Sequence, residues 1–182
     1  MFLKTEFEVK ILNVDVTKIN EKLDVLKAKK EWEALQKRRI YDFSPVKEHS
    51  WIRLRTNNEV TTITIKGIDP KKKFGTKELE LVVEDFDKAA LLLEGLGFKM
   101  RLYQENKRIQ YSYKEMEIDI DFWPLIPPYV EIEGNSEKEV YDMVQQLGYS
   151  LEDCCYASVE DIYKKYGYVL NDIKKLIFEE EI

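Results

Sequence analysis

Cysteine and histidine are the residue types that this sequence has least of. Its 182 residues include two cysteines, Cys154 and Cys155, and one histidine, His49. Adjacent cysteines do not make an ordinary structural disulfide, and a zinc site needs spaced cysteine or histidine ligands. These shortages exclude a disulfide-stapled fold and a zinc-bound fold, and we interpret both cysteines as reduced and structural.

Long apolar runs are also missing. No segment approaches the roughly 20 apolar residues of a membrane-spanning helix. Residues 1–10 lack the basic head and the apolar core of a signal peptide. We therefore expect a cytoplasmic protein with no membrane partner.

An excess of positive charge is absent as well. The chain has 35 acidic and 29 basic side chains, which gives a net charge of -6. A general nucleic-acid binder needs a basic surface. We expect no nucleic-acid partner, and any bound phosphate must occupy a local basic site.

The length and the hydrophobic fraction of 44% fit one domain over residues 1–182. Period-two alternation predicts eight strands, at 2–12, 36–44, 50–57, 60–67, 77–84, 99–112, 114–122 and 129–134. Helical periodicity predicts helices at 15–29, 86–95 and 136–147, with one or two more after Ser158 and a break at Gly167. We expect an α+β fold, with a strand core over about 1–135 and a helical part over about 136–182.

The polar side of the predicted strands is charged and sorted by sign. It carries, strand by strand, Glu6, Glu8 and Lys10; Arg53 and Arg55; Thr62, Thr64 and Lys66; Glu78 and Glu80; Glu117, Asp119 and Asp121; and Glu131 and Glu133. Two carboxylates at positions i and i+2 of a strand share one face about 7 Å apart, and they repel each other.

Two interpretations of this pattern remain open. In the first, the charged side faces water, which screens the repulsion. In the second, the sheet closes into an eight-stranded antiparallel β-barrel whose charged side lines a tunnel and whose apolar side faces outward under the helices. Such a tunnel suits Mg²⁺ on the carboxylates and a polyanion on the cations, because arginines grip phosphate oxygens in pairs and lysines act as point charges.

The residues in this order resemble the CYTH domain, the family of triphosphate tunnel metalloenzymes. Glu6-x-Glu8-x-Lys10 is similar to the ExExK signature of that family. The ordered match continues with Arg53-x-Arg55, Thr64-x-Lys66, Glu78-x-Glu80, a basic strand at Lys107 and Arg108, Asp119-x-Asp121 and Glu131-x-Glu133. The resemblance implies a barrel with a charged tunnel that acts on triphosphates with Mg²⁺ or Mn²⁺.

The resemblance also implies roles for these residues. The metal ligands would be Glu6, Glu8, one of Asp119 and Asp121, Glu131 and Glu133. The triphosphate would contact Lys10, Arg53, Arg55, Lys66 and Arg108. The family's basic strand usually reads Lys-x-Arg, but Asn106 stands at the lysine position here, so Lys107 or Arg101 is expected to supply that charge. We assign Glu78 and Glu80, together with Lys10, to catalysis.

Three functions follow from these expectations. The first is a metal-dependent hydrolase of a small-molecule triphosphate, such as tripolyphosphate, thiamine triphosphate or a nucleoside triphosphate, acting as a monomer or a homodimer. The second is a class IV-type adenylate cyclase, which is weakened because no His-Phe pair precedes Glu6. The third is a non-catalytic binder of polyphosphate or nucleotide, which would gain little from so many carboxylates.

Two further groups have both a structural and a functional interpretation. The basic run from Lys37 to Arg39 is interpreted as a solvated stretch, although Arg39 could reach the tunnel with Tyr41. Trp51, Trp123 and Tyr129 could stack on an organic group, but aromatic residues on strands usually serve packing.

Overall fold

The structure is a computed structural model that describes residues 4–179. Its strands and helices are, in chain order, β1 (Lys4–Thr5), β2 (Phe7–Leu12), α1 (Val16–Leu26), β3 (Lys29–Asp42), β4 (Ser50–Thr56), β5 (Thr61–Ile68), β6 (Thr76–Val83), α2 (Phe86–Gly95), β7 (Lys99–Tyr113), β8 (Met116–Trp123), β9 (Ile126–Gly134), α3 (Glu137–Gln146), β10 (Cys154–Cys155), α4 (Val159–Lys165) and β11 (Lys175–Leu176). The fold is therefore α+β, with a large sheet and four α-helices among these residues.

The strands form one sheet in the order β1-β6-β5-β4-β3-β7-β8-β9-β2-β10, with β11 beside β7. Every pair in that order is antiparallel, whereas β11 runs parallel to β7. The longest contact joins β3 and β7, whose pairing runs from Lys29 opposite Ser112 to Asp42 opposite Lys99. This long two-stranded ribbon forms the middle of the sheet.

Within the described part of the chain the strand hydrogen bonds do not close the sheet into a ring, so the predicted closed barrel is not confirmed. The order of strands has two ends, at β1 and at β10. One chain segment nevertheless touches both sides of the sheet. Its first residues, Lys4 and Thr5, pair with β6, and from Phe7 onward it pairs with β9. Between them, the backbone N–H of Glu6 donates to the carbonyl of Thr76 at 3.1 Å.

The apolar side chains pack on the outer side of the sheet under the helices. The largest cluster joins α1 and α3 to β2, β8 and β9, and its fully buried members include Val9, Ile19, Leu23, Ile118 and Met143. A second cluster places α2 against β4, with Ala90 and Leu54 both at 0% exposure. These contacts fix which face of each strand points outward, and the charged face is left for the other side.

The C-terminal residues form a third cluster at one end of the sheet. Ile162 and Tyr163 of α4 pack with Leu102, Trp123 and Tyr129 of the strands. The hydroxyl of Tyr163 donates to the carbonyl of Pro124 at 2.6 Å. The segment after β10 is therefore anchored against β7, β8 and β9.

Most of the predicted elements are confirmed. The eight predicted strands correspond to β2–β9, and the three predicted helices correspond to α1, α2 and α3. Ser136 begins α3 by accepting the backbone N–H of Glu139, and Gly167 has a positive φ of 85° after α4. The parts of the predictions that fall on residues 1–3 and 180–182 lie outside the described residues.

The end of the first helix was predicted wrongly. The chain leaves α1 at Lys27, which adopts the left-handed conformation with φ 57°. From Lys29 to Leu35 it is a strand paired with β7, and not the end of a helix followed by a loop. The segment has no glycine or proline that would mark the end of the helix. The strand forms because it pairs with β7, which is distant in the sequence.

No helix within residues 4–179 is long and apolar enough to cross a membrane.

The packing of α1 can be tested at Leu23, which has 0% exposure. Leu23→Ala should lower the free energy of unfolding by about 2–5 kcal/mol, because it removes buried methyl groups and leaves a cavity. Val25→Ala on the same helix is the matched control, since Val25 is 80% exposed and its loss should change stability by less than about 0.5 kcal/mol. Urea denaturation measures both, and equal losses would contradict the packing of α1 against β2.

Candidate functional site

The inner side of the sheet encloses a cavity of about 810 Å³. All but two of the predicted site residues line it: Glu6, Glu8, Lys10, Arg53, Arg55, Lys66, Glu78, Glu80, Arg108, Asp119, Glu131 and Glu133. Strand alternation explains this, because the apolar neighbours of these residues occupy the outer clusters. Register then brings distant residues together, as Lys10 lies opposite Glu131 and Glu131 lies opposite Asp119.

Lys10 lies between two carboxylates on the floor of the cavity. Its Nζ is 2.9 Å from Glu8 Oε1 and 3.0 Å from Glu131 Oε2. Burial would lower the pKa of Lys10, but Glu131 and Glu8 hold it well above its ordinary value. Burial would likewise raise the pKa of Glu131, but Lys10 and Arg108 hold it well below its usual range. Lys10 and Glu131 are therefore both charged at neutral pH in the ligand-free protein.

Lys66 makes a second bridge of the same kind. Its Nζ is 3.2 Å from Glu6 Oε2 and 3.0 Å from Glu78 Oε2. Burial raises the pKa of Glu6 to about 8, and Lys66 opposes only part of that shift. Burial acts on Glu78 in the same direction, but Lys66 dominates and lowers its pKa to about 2. Of the two acids, Glu6 carries the proton near neutral pH.

Arg53 and Arg55 both contact the carboxylate of Glu80. Glu80 Oε2 accepts hydrogen bonds from the Nη2 of Arg53 at 3.2 Å and of Arg55 at 3.4 Å. The same oxygen accepts the hydroxyl of Thr64 at 2.6 Å. Burial would raise the pKa of Glu80, but Arg55 and the Thr64 hydroxyl lower it. Glu80 thereby holds both guanidinium groups on the wall of the cavity.

Arg108 is the most strongly bound cation. Its Nε and Nη2 donate to the two oxygens of Asp121 at 2.8 and 2.6 Å, and Nη2 also lies 3.1 Å from Glu131 Oε1. Its Nη1 donates to Asp119. Asp121 is fully buried, does not line the cavity and also accepts the Asn106 amide at 2.9 Å. Asp121 thus orients Arg108, while Asp119 faces the cavity.

Arg38 is a buried, cavity-lining cation that the sequence pattern did not indicate. The run from Lys37 to Arg39 was interpreted as solvated, but Arg38 is 5% exposed and lines the cavity. Its Nη2 donates to Gln36 Oε1 at 2.7 Å, and its guanidinium lies 4.8 Å from the centre of the Trp123 ring. Arg39 points to the other side of the sheet and pairs with Asp87 at 2.9 Å.

The surroundings of Arg38 are positive. It lies opposite Arg55 in register, and no ion pair joins it to a carboxylate in the described part of the chain. Its Nε and the Nε of Arg53 are buried without a hydrogen-bond partner. Burial lowers the pKa of Arg38 well below its ordinary value, and Arg53 and Arg108 lower it further. Such a group is stabilised by a bound anion.

Lys107 is the predicted substrate-binding residue that the structure does not bring to the cavity. It alternates with Arg108, points outward and pairs with Glu33 at 2.6 Å. Arg101 lies at the end of the cavity near α4, where it contacts Asp42 at 3.0 Å and Glu160 at 3.6 Å. The cation that lies near Asn106 on the inner face is Arg38 of β3: Arg38 is opposite Gln104, and Gln36 is opposite Asn106.

The residues of the cavity have the chemistry of a site for Mg²⁺ or Mn²⁺. Both ions prefer carboxylate oxygens. Asp119 Oδ1 is buried without a hydrogen-bond partner, and burial raises the pKa of Asp119 to about 7 although Arg108 opposes the shift. Over residues 4–179 no three such ligands stand close enough together to form a ready cluster, since lysines and arginines hold the carboxylates. The donor set fits a divalent cation once these ion pairs open.

Comparison with known proteins agrees with this geometry. The family model of the CYTH domain matches residues 4–158. No curated protein matches the sequence.

Solved structures share the fold. The PH1012 protein from Pyrococcus horikoshii is 25% identical, with a TM-score of 0.72 over 84% of this chain and 96% of its own. A candidate adenylate cyclase from Vibrio parahaemolyticus is 15% identical, with a TM-score of 0.78 over 90% of this chain and 99% of its own. HpAC1 from Hippeastrum, a candidate adenylyl cyclase with a dominant triphosphatase activity, is 14% identical, with a TM-score of 0.61 over 92% of this chain and 99% of its own.

An α+β protein whose sheet encloses paired cations and carboxylates is suited to bind a polyanion and a metal ion together. The chain belongs to the CYTH domain family, since the family model covers most of its length.

The titration of Glu6 gives a test of the buried charge. The folded protein holds a proton on Glu6 up to about pH 8, whereas the ordinary pKa of glutamate is 4.5. The folded state therefore binds more protons than the unfolded state in this range, and this group makes stability fall as the pH rises. Glu6→Gln removes the effect, so the stability of the variant relative to the wild type should increase steadily from about pH 5 to about pH 8.

Urea denaturation in EDTA at several pH values measures this difference. Glu33→Gln is the control, because the pKa of Glu33 is lowered to about 2 by Lys107 and Lys30. That carboxylate is ionised over the whole range, and its variant should keep a constant difference from the wild type. A constant difference for Glu6→Gln as well would contradict the protonated state of Glu6.

Proposed function

We propose that the protein is a divalent-metal-dependent hydrolase of triphosphates, and that it cleaves a terminal phosphoanhydride inside the charged cavity. Inorganic tripolyphosphate, thiamine triphosphate and nucleoside triphosphates are the candidate substrates. The observation that carries the proposal is Arg38, a buried cation that forms no ion pair with any described carboxylate, beside Arg53 and Arg55 on the wall of a cavity that is also rich in carboxylates. The triphosphatase activity reported for HpAC1, which shares the fold, supports it.

The three arginines would grip the phosphate chain. Arg38 and Arg55 are opposite each other on neighbouring strands, and Arg53 lies two residues from Arg55 on the same face. Guanidinium groups bind phosphate oxygens through paired, charge-assisted hydrogen bonds. Lys10, Lys66 and Arg108 would add positive charge by exchanging part of their present carboxylate contacts for phosphate oxygens. This holds the reacting phosphate in line with its attacking water.

The carboxylates facing the cavity would hold the metal. Glu8, Asp119 and Glu131 are the central candidates; Glu133 lies opposite Glu8, and Glu6 lies two residues before Glu8. Asp119 is favoured over Asp121, because Asp121 is occupied by Arg108 and Asn106. When bound, Mg²⁺ or Mn²⁺ neutralises phosphate charge and makes water a better nucleophile.

Glu78 and Glu80 would act by positioning. Their pKa values are lowered, so they are weak proton acceptors at neutral pH. Both can hydrogen-bond an attacking water, and Glu80 keeps Arg53 and Arg55 aimed into the cavity. Lys10 would serve the reaction by keeping the carboxylates of Glu8 and Glu131 in position on either side of it as ligands for the metal ion.

The proposed site is a tunnel. The segment from Lys4 to Leu12 pairs with β6 at its start and with β9 along its length, so it spans the two sides of the sheet. We take this segment as the seam of a barrel whose lumen is the cavity. A tunnel would exclude bulk water and strengthen each ionic contact inside it.

An adenylate cyclase is the second candidate. The fold likeness to the candidate cyclase from Vibrio parahaemolyticus favours it. The same clamp and metal ligands would serve a cyclase, in which the ribose hydroxyl replaces water as the nucleophile. The products of ATP distinguish the two activities.

The proposed role of Arg38 in phosphate binding can be tested by comparing its substitution with that of the neighbouring Arg39. Arg38→Met should lower kcat/KM for tripolyphosphate by about 100-fold or more, because it removes a preorganised donor to the phosphate. Arg39→Met should leave kcat/KM within about twofold, since Arg39 faces outward and pairs with the exposed Asp87. Steady-state phosphate release measures both variants.

The stability of the same variants separates function from folding. Arg38→Met should not destabilise the ligand-free protein, because it removes a buried charge that has no carboxylate partner. A loss of both activity and stability would assign Arg38 to the structure instead of to the phosphate clamp.

The metal site is tested at Glu8 with a panel of substrates. Glu8→Gln should abolish phosphate release from tripolyphosphate, thiamine triphosphate and ATP in Mg²⁺ or Mn²⁺, because a metal ligand is lost. Glu33→Gln, a carboxylate on the outer face, should remain active. Cyclic AMP formed from ATP would favour the cyclase, and binding without any turnover by the wild type would favour a non-catalytic binder.

A further inference from the structure

Trp32 differs from the other two tryptophans of the chain. Trp123 belongs to the apolar cluster at the α4 end of the sheet, and Trp51 packs against that cluster. Trp32 belongs to none of the three apolar clusters, although it is half-buried and lines the cavity. Packing accounts for Trp51 and Trp123, but it does not account for Trp32.

The indole of Trp32 also has no partner of another kind. Among residues 4–179, no ring contact, cation–π contact or side-chain hydrogen bond involves it. Trp51 and Trp123 also line the cavity, but they do so at the apolar cluster near α4. The residue opposite Trp32 is the polar Gln110, and the flat faces of an indole gain little from water or from phosphate.

The register connects Trp32 to the proposed site. Trp32 lies opposite Gln110, Gln110 opposite Asp119, Asp119 opposite Glu131, and Glu131 opposite Lys10. Neighbouring strands are about 4.8 Å apart, so Trp32 lies about 10 Å from Asp119 along one row of the sheet. A group attached to a triphosphate at Lys10 and Arg108 can therefore reach the ring.

We propose that Trp32 forms a stacking subsite for a planar, amino-substituted heteroaromatic group carried by the triphosphate, so that an organic triphosphate is preferred over inorganic tripolyphosphate. The inference rests on the proposed function, because the phosphate clamp must hold the other end of the ligand. Base–aromatic stacking contributes about 1–3 kcal/mol.

Polar groups beside the ring suit an amino substituent. Gln110, opposite Trp32, donates its side-chain amide to Glu117 Oε2 at 3.0 Å. The amide oxygen of Gln110 and the exposed carboxylate of Glu117 can each accept a hydrogen bond from an exocyclic amine. Adenine and the aminopyrimidine of thiamine share that chemistry, and the experiment distinguishes them.

Isothermal titration calorimetry in EDTA, where no turnover occurs, gives the test with tripolyphosphate, ATP and thiamine triphosphate. Trp32→Ala should weaken binding of ATP or of thiamine triphosphate roughly tenfold and leave tripolyphosphate within about twofold. Trp32→Phe should retain most of the affinity, because a smaller aromatic face remains. Leu35→Ala is the matched control, since Leu35 is an exposed apolar residue on the outer face of the same strand.

Tryptophan fluorescence gives a second measurement. The contribution of Trp32 to the emission would not change on ligand binding if Trp32 had only a structural role. Binding of the preferred organic ligand should quench tryptophan emission more strongly in the wild type than in Trp32→Phe, in which Trp51 and Trp123 remain beside the cavity. If ATP binding responds to the substitution, the stacked group is adenine. If thiamine triphosphate binding responds, the stacked group is the aminopyrimidine of thiamine.

Equal weakening of tripolyphosphate and of the organic ligands by Trp32→Ala would overturn the subsite and leave the proposed function standing. No effect of Trp32→Ala on any ligand would do the same. Failure of tripolyphosphate, ATP and thiamine triphosphate alike to bind the wild type would overturn the phosphate clamp, and the subsite with it.

Discussion

Burial of charge on the inner face of the sheet is the constraint on which the rest of the structure depends. Lys10, Arg108 and Asp119 are each less than 10% exposed, and an isolated charge at that depth costs several kcal/mol. The cost is offset because Lys10 and Arg108 each meet carboxylates from other strands. A shift of one residue in any strand would turn its charges outward and its apolar side chains inward, so the ion pairs and the outer clusters specify the same register.

The ion pairs and the apolar clusters lie on opposite sides of the same strands. Val9 is fully buried against α1 and α3, while Glu8 and Lys10 on either side of it face the cavity. The helices therefore do more than cover apolar surface. They fix the direction in which the charged side chains point, which the proposed metal and phosphate sites need before any ligand arrives.

The alternation of charged and apolar residues was enough to predict most of the strands and the side of β2, β4, β5, β6, β8 and β9 that faces the cavity. Glu6, Arg53, Lys66 and Glu131 come together as their alternation implies. Lys107 was assigned to the site from its position next to Arg108, although neighbouring residues of a strand face opposite ways. Closure of the sheet depends on contacts between distant segments, which the local pattern does not contain.

Arg38 and Trp32 escaped prediction for a related reason, since both lie on β3 and their positions depend on pairing with β7. Residues 30–35 fall between the predicted helix at 15–29 and the predicted strand at 36–44, and the run from Lys37 to Arg39 looks solvated. Counting in steps of two back from Tyr41, which is buried on the outer side, would have placed Arg39 outward and Arg38 inward. Arg38 is also the inward cation that lacks a carboxylate. A sequence selected for stability alone would pair or remove such a charge, and its persistence in the ligand-free fold is what a site that awaits an anion requires.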